Sequence, residues 1–159
     1  MHKTTLSNKM FDMLSAHIAE IDREKDGIIK KFYSDNAGTG MDIETFFREY
    51  ISTIENYLKS ANIQKDIADK CPLAIIGSTV EVRDTNDSEI MSFEIILPYS
   101  NKPVNNMNQA SCLSPMGKAL LLKTAGSSIA VKTPAGLLNY EILSISLPGH
   151  LPQSHALLP

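Results

Sequence analysis

In the first sixty positions of this chain, apolar residues recur at alternating steps of three and four. Phe11, Leu14, Ile18 and Ile21 are followed, past a break at Lys25, by Ile28 and Phe32. That spacing is a heptad seam, and it confines the segment to an amphipathic helix that must bury one face against a partner. A second run, Ile43, Phe47, Tyr50, Ile54, Tyr57 and Ala61, flanked by Phe46, Ile51 and Leu58, has the same character. Between the two, Ser34-Asp35-Asn36-Ala37-Gly38-Thr39-Gly40 is dense in turn formers. Thr39 with Asp42 three positions on has the spacing of a capping box, with Asp in place of Glu, which starts the second helix near Gly40. Two helices of ~20 residues with so short a connection pack antiparallel, as a hairpin ~30 Å long with an exposed tip.

Charge separates this half from the rest. Of 15 Lys plus Arg and 18 Asp plus Glu, residues 1–70 hold 10 and 12, while all 8 prolines lie beyond Cys71. The predicted division is a coiled-coil hairpin at 1–70, a second domain at 71–148 and a flexible tail at 149–159. Beyond the boundary the pattern has period two. Thr79-Val80-Glu81-Val82-Arg83 alternates, Ser92-Phe93-Glu94-Ile95-Ile96-Leu97 nearly so, and the polar residues from Asp84 to Ser88 turn the chain between them. Ser114 caps a short helix with Pro115 at its first position, closed by Lys123 and Gly126. Strands at residues 128–132 and 138–145, joined by Thr133-Pro134-Ala135-Gly136, complete an α+β domain in which one short helix covers a small antiparallel sheet.

The formal net charge of -3 argues against binding nucleic acid through bulk positive charge. No run approaches the ~18 apolar residues of a membrane span, and the first seven residues lack a signal-peptide core, so a cytoplasmic protein with no membrane partner is expected. Cys71 and Cys112 lie too far apart for a metal-ligand pair and read as reduced thiols. His2, His17, His150 and His155 have no second ligand or nucleophile at telling spacing. Gly38-Thr39-Gly40 reads as a plain turn before it reads as a phosphate cradle. Phe46, Phe47, Tyr50 and Tyr57 read as coiled-coil core, with an interaction stripe as the alternative.

Three motifs in order carry a family resemblance. Ile76-Gly77-Ser78-Thr79-Val80, then Leu113-Ser114-Pro115-Met116-Gly117-Lys118-Ala119-Leu120-Leu121, then Val131-Lys132-Thr133-Pro134-Ala135-Gly136 with Tyr140-Glu141-Ile142-Leu143, resemble the C-terminal domain of the GreA/GreB transcription elongation factors and their relative Rnk. The resemblance implies an FKBP-like C-terminal domain that docks on RNA polymerase, with Leu113, Ser114 and Pro115 at the contact. It implies a coiled coil inserted into the polymerase secondary channel, whose tip acids help to hold a Mg²⁺ ion for cleavage of backtracked RNA. The polymerase performs that cleavage, so the chain is not expected to be an enzyme by itself.

At the tip the likeness is partial. Aligned without gaps, Asp35 takes the place of one family acid, while Phe32 falls where the other stands. Mg²⁺ is commonly held by one or two carboxylates, so Asp35 is the candidate for an ion shared with polymerase, and a turn or capping role stands beside it. Asp42 and Glu44 are weaker candidates, explained more simply as first-turn acids by the helix dipole. The expectation is a Gre-like regulator of elongation that cleaves weakly or not at all. A full transcript-cleavage factor is one alternative. An FKBP-like scaffold that does not bind polymerase is the other.

Overall fold

The computed structural model describes residues 5–35, 42–99 and 108–147. The chain divides into two compact units, Met1–Lys70 and Cys71–Pro159.

In the first unit, strand β1 (Thr5–Ser7) leads directly into helix α1 (Asn8–Asp35), and helix α2 (Ile43–Ser60) is followed by strand β2 (Asn62–Gln64). Helix α1 buries Met10, Leu14, Ile21 and Phe32, and α2 buries Ile43, Phe47, Tyr50, Ile54 and Leu58. The two faces pack together as an antiparallel helical hairpin. Full burial of each large apolar side chain contributes about 1.5–3 kcal/mol, which is why this seam holds helices whose outer faces are almost wholly polar.

The seam differs in detail from the expected one. Met10 is buried where Phe11 was expected, and Leu58 is buried while Tyr57 and Ala61 stay partly exposed. Helix α2 begins at Ile43, later than the expected start near Gly40, because Asp42 is itself the N-cap. Its carboxylate accepts from the Thr45 amide at 3.0 Å and from the Thr45 hydroxyl at 2.6 Å. Thr39, the Gly38-Thr39-Gly40 turn and the tail from residue 149 lie outside the described residues.

The second unit is a five-stranded sheet in the order β5-β4-β3-β7-β6. Its strands are β3 (Thr79–Asp84), β4 (Ile90–Ile96), β5 (Asn108–Ser111), β6 (Ser128–Thr133) and β7 (Gly136–Ser146). Neighbours run antiparallel except β4 and β5, which pair in parallel at one edge. Alternation puts Val80, Val82, Ile95, Ile129, Val131, Tyr140 and Ile142 in the core. Between Glu81 and Val82 the register shifts, so that Val80 lies opposite Ile145 but Val82 opposite Ile142. This β-bulge adds one residue to β7 and bends the ribbon.

The sheet's short helix, α3 (Pro115–Leu120), packs near β5 and β6. It stops earlier than expected: Leu121 is its C-cap and Leu122 adopts a left-handed backbone, φ 66°, before Lys123 is reached. Buried Ser78 closes the chain's entry into β3. Its hydroxyl donates to the Ile75 carbonyl at 2.7 Å and accepts from the Ile75 amide at 3.0 Å, so no polar atom of that side chain is left unpaired.

Candidate functional site

Two regions carry the expected functional residues, one in each unit. At the end of α1, Asp35 is exposed and its Oδ2 lies 3.7 Å from Lys31 Nζ, one turn back. Such a pair on an open helix surface contributes little to stability, but it sets a cation beside the carboxylate. Asp42 is fixed in its capping role, and the hydrogen bonds from Thr45 hold its carboxyl below the usual carboxylate range. Glu44 lies exposed in the first turn of α2, where the helix dipole favours an acid.

Tyr33, 41% exposed, belongs to the same end of the hairpin. Partial loss of water, and then the negative charge of Asp42 and Glu44, push its hydroxyl above the ordinary tyrosine value. The hairpin end is therefore acidic on its α2 side. Phe32 is turned inward, 9% exposed, and its ring meets Tyr33 edge-on at a centroid distance of 6.0 Å.

Among the described residues, no group of three or more His, Cys, Asp or Glu side chains could hold a metal ion. At the hairpin end, Asp35 has a lysine beside it and Asp42 is engaged with Thr45. These side chains do not fit a Mg²⁺ ion held by this chain alone.

The second region is the approach to α3. Ser111 organises it: its carbonyl accepts from the Ser114 amide at 2.9 Å and the Ser114 hydroxyl at 2.7 Å, while its own hydroxyl accepts from the Leu113 amide at 3.2 Å. The Ser114 hydroxyl in turn accepts from the Gly117 amide at 3.0 Å and caps the helix. This leaves Pro115 exposed at the head of α3, with Leu113 and Ser114 partly covered beside it. Gly117 is buried so close to β5 that an added Cβ would stand 1.9 Å from the Ser111 carbonyl oxygen.

The structure thus places Leu113, Ser114 and Pro115 on one hydrogen-bonded turn, and Asp42 and Glu44 together at the start of α2. Ser111 and Gly117 were not singled out from the sequence. A glycine three positions after the N-cap, inside a helix of only six residues, was the signal available for the second.

Both thiols are sequestered. Cys71 donates to the Leu73 carbonyl at 2.9 Å, and burial pushes its pKa up to about 11. Burial raises Cys112 to about 12. Neither is poised as a nucleophile at neutral pH. Of the histidines, only His17 falls within the described residues. No helix among them is long and apolar enough to cross a membrane.

Comparison with known proteins bears on the second of these regions. Residues 70–147 match the family described as "Transcription elongation factor, GreA/GreB, C-term". The chain is similar to a transcription elongation factor GreA of Solidesulfovibrio magneticus, 35% identical over 98 residues that cover 59% of this chain and 58% of that protein. It is likewise similar to the GreA of Caldanaerobacter subterraneus, 36% identical over 102 residues and 64% of each chain. The matched part thus spans about three fifths of the length of these curated relatives. Among solved structures, a GreA/GreB factor from Nitrosomonas europaea aligns with 92% of this chain and 99% of its own at 17% identity and a TM-score of 0.47.

Proposed function

From the match of residues 70–147 to the GreA/GreB C-terminal family, we propose that this chain is a Gre-type transcription factor that acts on RNA polymerase. In this reading the turn at Leu113, Ser114 and Pro115 docks on the polymerase, the hairpin enters the secondary channel, and transcription elongation is the process regulated. The protein works in the cytoplasm, has no catalytic activity of its own, and does not recognise a nucleic-acid sequence.

The family match carries the reading. Its finer part, that the chain occupies the channel and cleaves weakly or not at all, is supported by the end of α1. Phe32 stands where the family resemblance calls for an acid, and it is buried in the hairpin and carries no oxygen to offer an ion. Asp35 is left as the lone carboxylate of that pair, with Lys31 beside it. An ion shared with polymerase would find Asp35 from this side in place of the family's pair of acids.

The test adds purified protein to stalled, backtracked elongation complexes and follows both polymerase binding and 3′ cleavage of the RNA. The channel-occupying reading expects binding, competition with a cleaving Gre factor, and cleavage no faster than polymerase alone. Strong stimulation of cleavage that Asp35→Ala abolishes would establish the transcript-cleavage alternative. Failure to bind polymerase would leave the scaffold reading.

A further inference from the structure

The base of the hairpin, where α1 begins and α2 ends, is closed by an arrangement that the helical packing does not require. Strands β1 and β2 pair in parallel, Thr5 with Asn62, Leu6 with Ile63 and Ser7 with Gln64. An antiparallel hairpin whose two ends ran on straight would bring these segments together antiparallel. One of the two segments therefore turns back against its helix, and at the end of α2 the C-cap Ala61 has an extended backbone while its amide still bonds the Leu58 carbonyl.

The two strands are unequally anchored. Leu6 and Ser7 are 2% and 6% exposed, whereas every residue of β2 is exposed, Ile63 at 46%. A three-residue pair of strands has little stability by itself, and apolar burial does not hold β2 in place.

Ser7 supplies what burial does not. Its hydroxyl accepts from the Met10 amide at 3.0 Å, capping α1, and donates to Asp69 Oδ1 at 2.5 Å, 62 residues along the chain. One buried hydroxyl thus fixes both the first turn of α1 and the far end of the segment that follows α2. Within that segment Asp66 adopts a left-handed backbone, φ 63°, a conformation that a non-glycine residue takes at a cost.

We infer that residues 62–69 form a releasable strap over the root of the hairpin, latched by the Ser7–Asp69 hydrogen bond, that controls how much free chain leads into the second unit. Latched, the strap leaves only Lys70 before the unit that starts at Cys71. Unlatched, it adds eight residues of connector, about 25 Å of extended chain. The latch is a hydrogen bond to a charged acceptor, the stronger kind, and besides it only the three-residue pairing of β2 with β1 holds this exposed segment, so it opens without unfolding either helix.

The test is limited trypsin digestion of the full chain at native pH, with amide exchange read by mass spectrometry. Asp69→Ala removes the latch but keeps the Ser7 cap. It is expected to speed cleavage after Lys65 and exchange over residues 62–69 by about tenfold, while exchange over residues 10–21 stays as in the unaltered protein. Asp69→Asn, which keeps an acceptor oxygen, should lie between the two. Rates within twofold of the unaltered chain in Asp69→Ala would overturn the latch. Equal loosening of residues 10–21 would overturn the strap as a separately opening element.

Discussion

His17 Nε2 lies 2.8 Å from the Tyr50 hydroxyl across the hairpin, and the two rings meet edge-on, 5.9 Å between centroids and 80° between planes. His17 occupies the step between Leu14 and Ile21 on the seam of α1. Burial lowers its pKa from 6.5 to about 4, against an opposing pull from Glu20. Phe46 stacks with Tyr50, ring planes 11° apart, so the pair sits within an aromatic cluster.

The pH dependence of the hairpin follows from this pair. A histidine whose folded pKa lies below its unfolded value binds more protons unfolded, so its contribution is intact above about pH 6.5 and is lost as pH falls toward 4. The helical signal in urea titrations should show about 3 kcal/mol less stability at pH 4 than at pH 7 from this group. His17→Leu should flatten that slope. Tyr50→Phe should cost about 1 kcal/mol at pH 7. A His17→Leu chain with the original slope would assign the effect to other groups.

Asp42 is a cap first and an acid second. Asp42→Asn should keep the exchange protection of the Thr45 amide, and Asp42→Ala should lose it. Because the folded carboxyl titrates below its unfolded value, its contribution is present above the unfolded pKa and disappears as pH falls through the folded one. If polymerase binding is measured alongside, Asp42→Asn should bind as the unaltered protein does. Weakened binding by that variant would give the charge a role beyond capping.

Gly117→Ala should destabilise the C-terminal unit by about 3 kcal/mol, since the obstruction is a backbone oxygen and no flexible side chain can yield. Thermal unfolding followed in the tyrosine near-ultraviolet signal reads this directly. A loss below about 1 kcal/mol would mean that α3 shifts freely against β5.

The two thiols should report separately on opening. At pH 8 in native buffer both Cys71 and Cys112 should react with a thiol reagent far more slowly than a free cysteine, and urea should release them. Cys71, the less buried, should react first. Prompt labelling of Cys112 in the folded protein would contradict its place beneath the approach to α3.

The hairpin and most of the sheet were legible because apolar spacing reports directly on buried faces. Ser114 and Pro115 announced α3 for a related reason: capping chemistry is local. The rest depended on partners distant in sequence. His17 takes a seam position that a hydrophobic pattern skips, because its polarity is satisfied by a tyrosine 33 residues away. Strand β5, Asn-Gln-Ala-Ser, has no alternation to read and exists through its pairing with β4. The end of α3 was hidden by three consecutive leucines that suit a helix, one of which the fold places in a left-handed turn. At the candidate site, sequence alignment located Asp35 and Phe32. It did not reveal that Phe32 faces inward or that Asp42 is engaged by Thr45.

The register shift beside Val82 makes β7 a strand with two phases. On one side of the bulge its odd-numbered Ile145 shares a face with Val80, and on the other its even-numbered Ile142 and Tyr140 share one with Val82. One residue near Leu143 therefore reconciles two opposite in-and-out readings of a single ribbon. Deleting it would give an unbroken ladder and turn either Ile145 or Ile142 and Tyr140 to the wrong side. Length at this point of the chain is thus under tighter constraint than the identity of any side chain there, and divergence in β7 should proceed by substitution and not by insertion or loss.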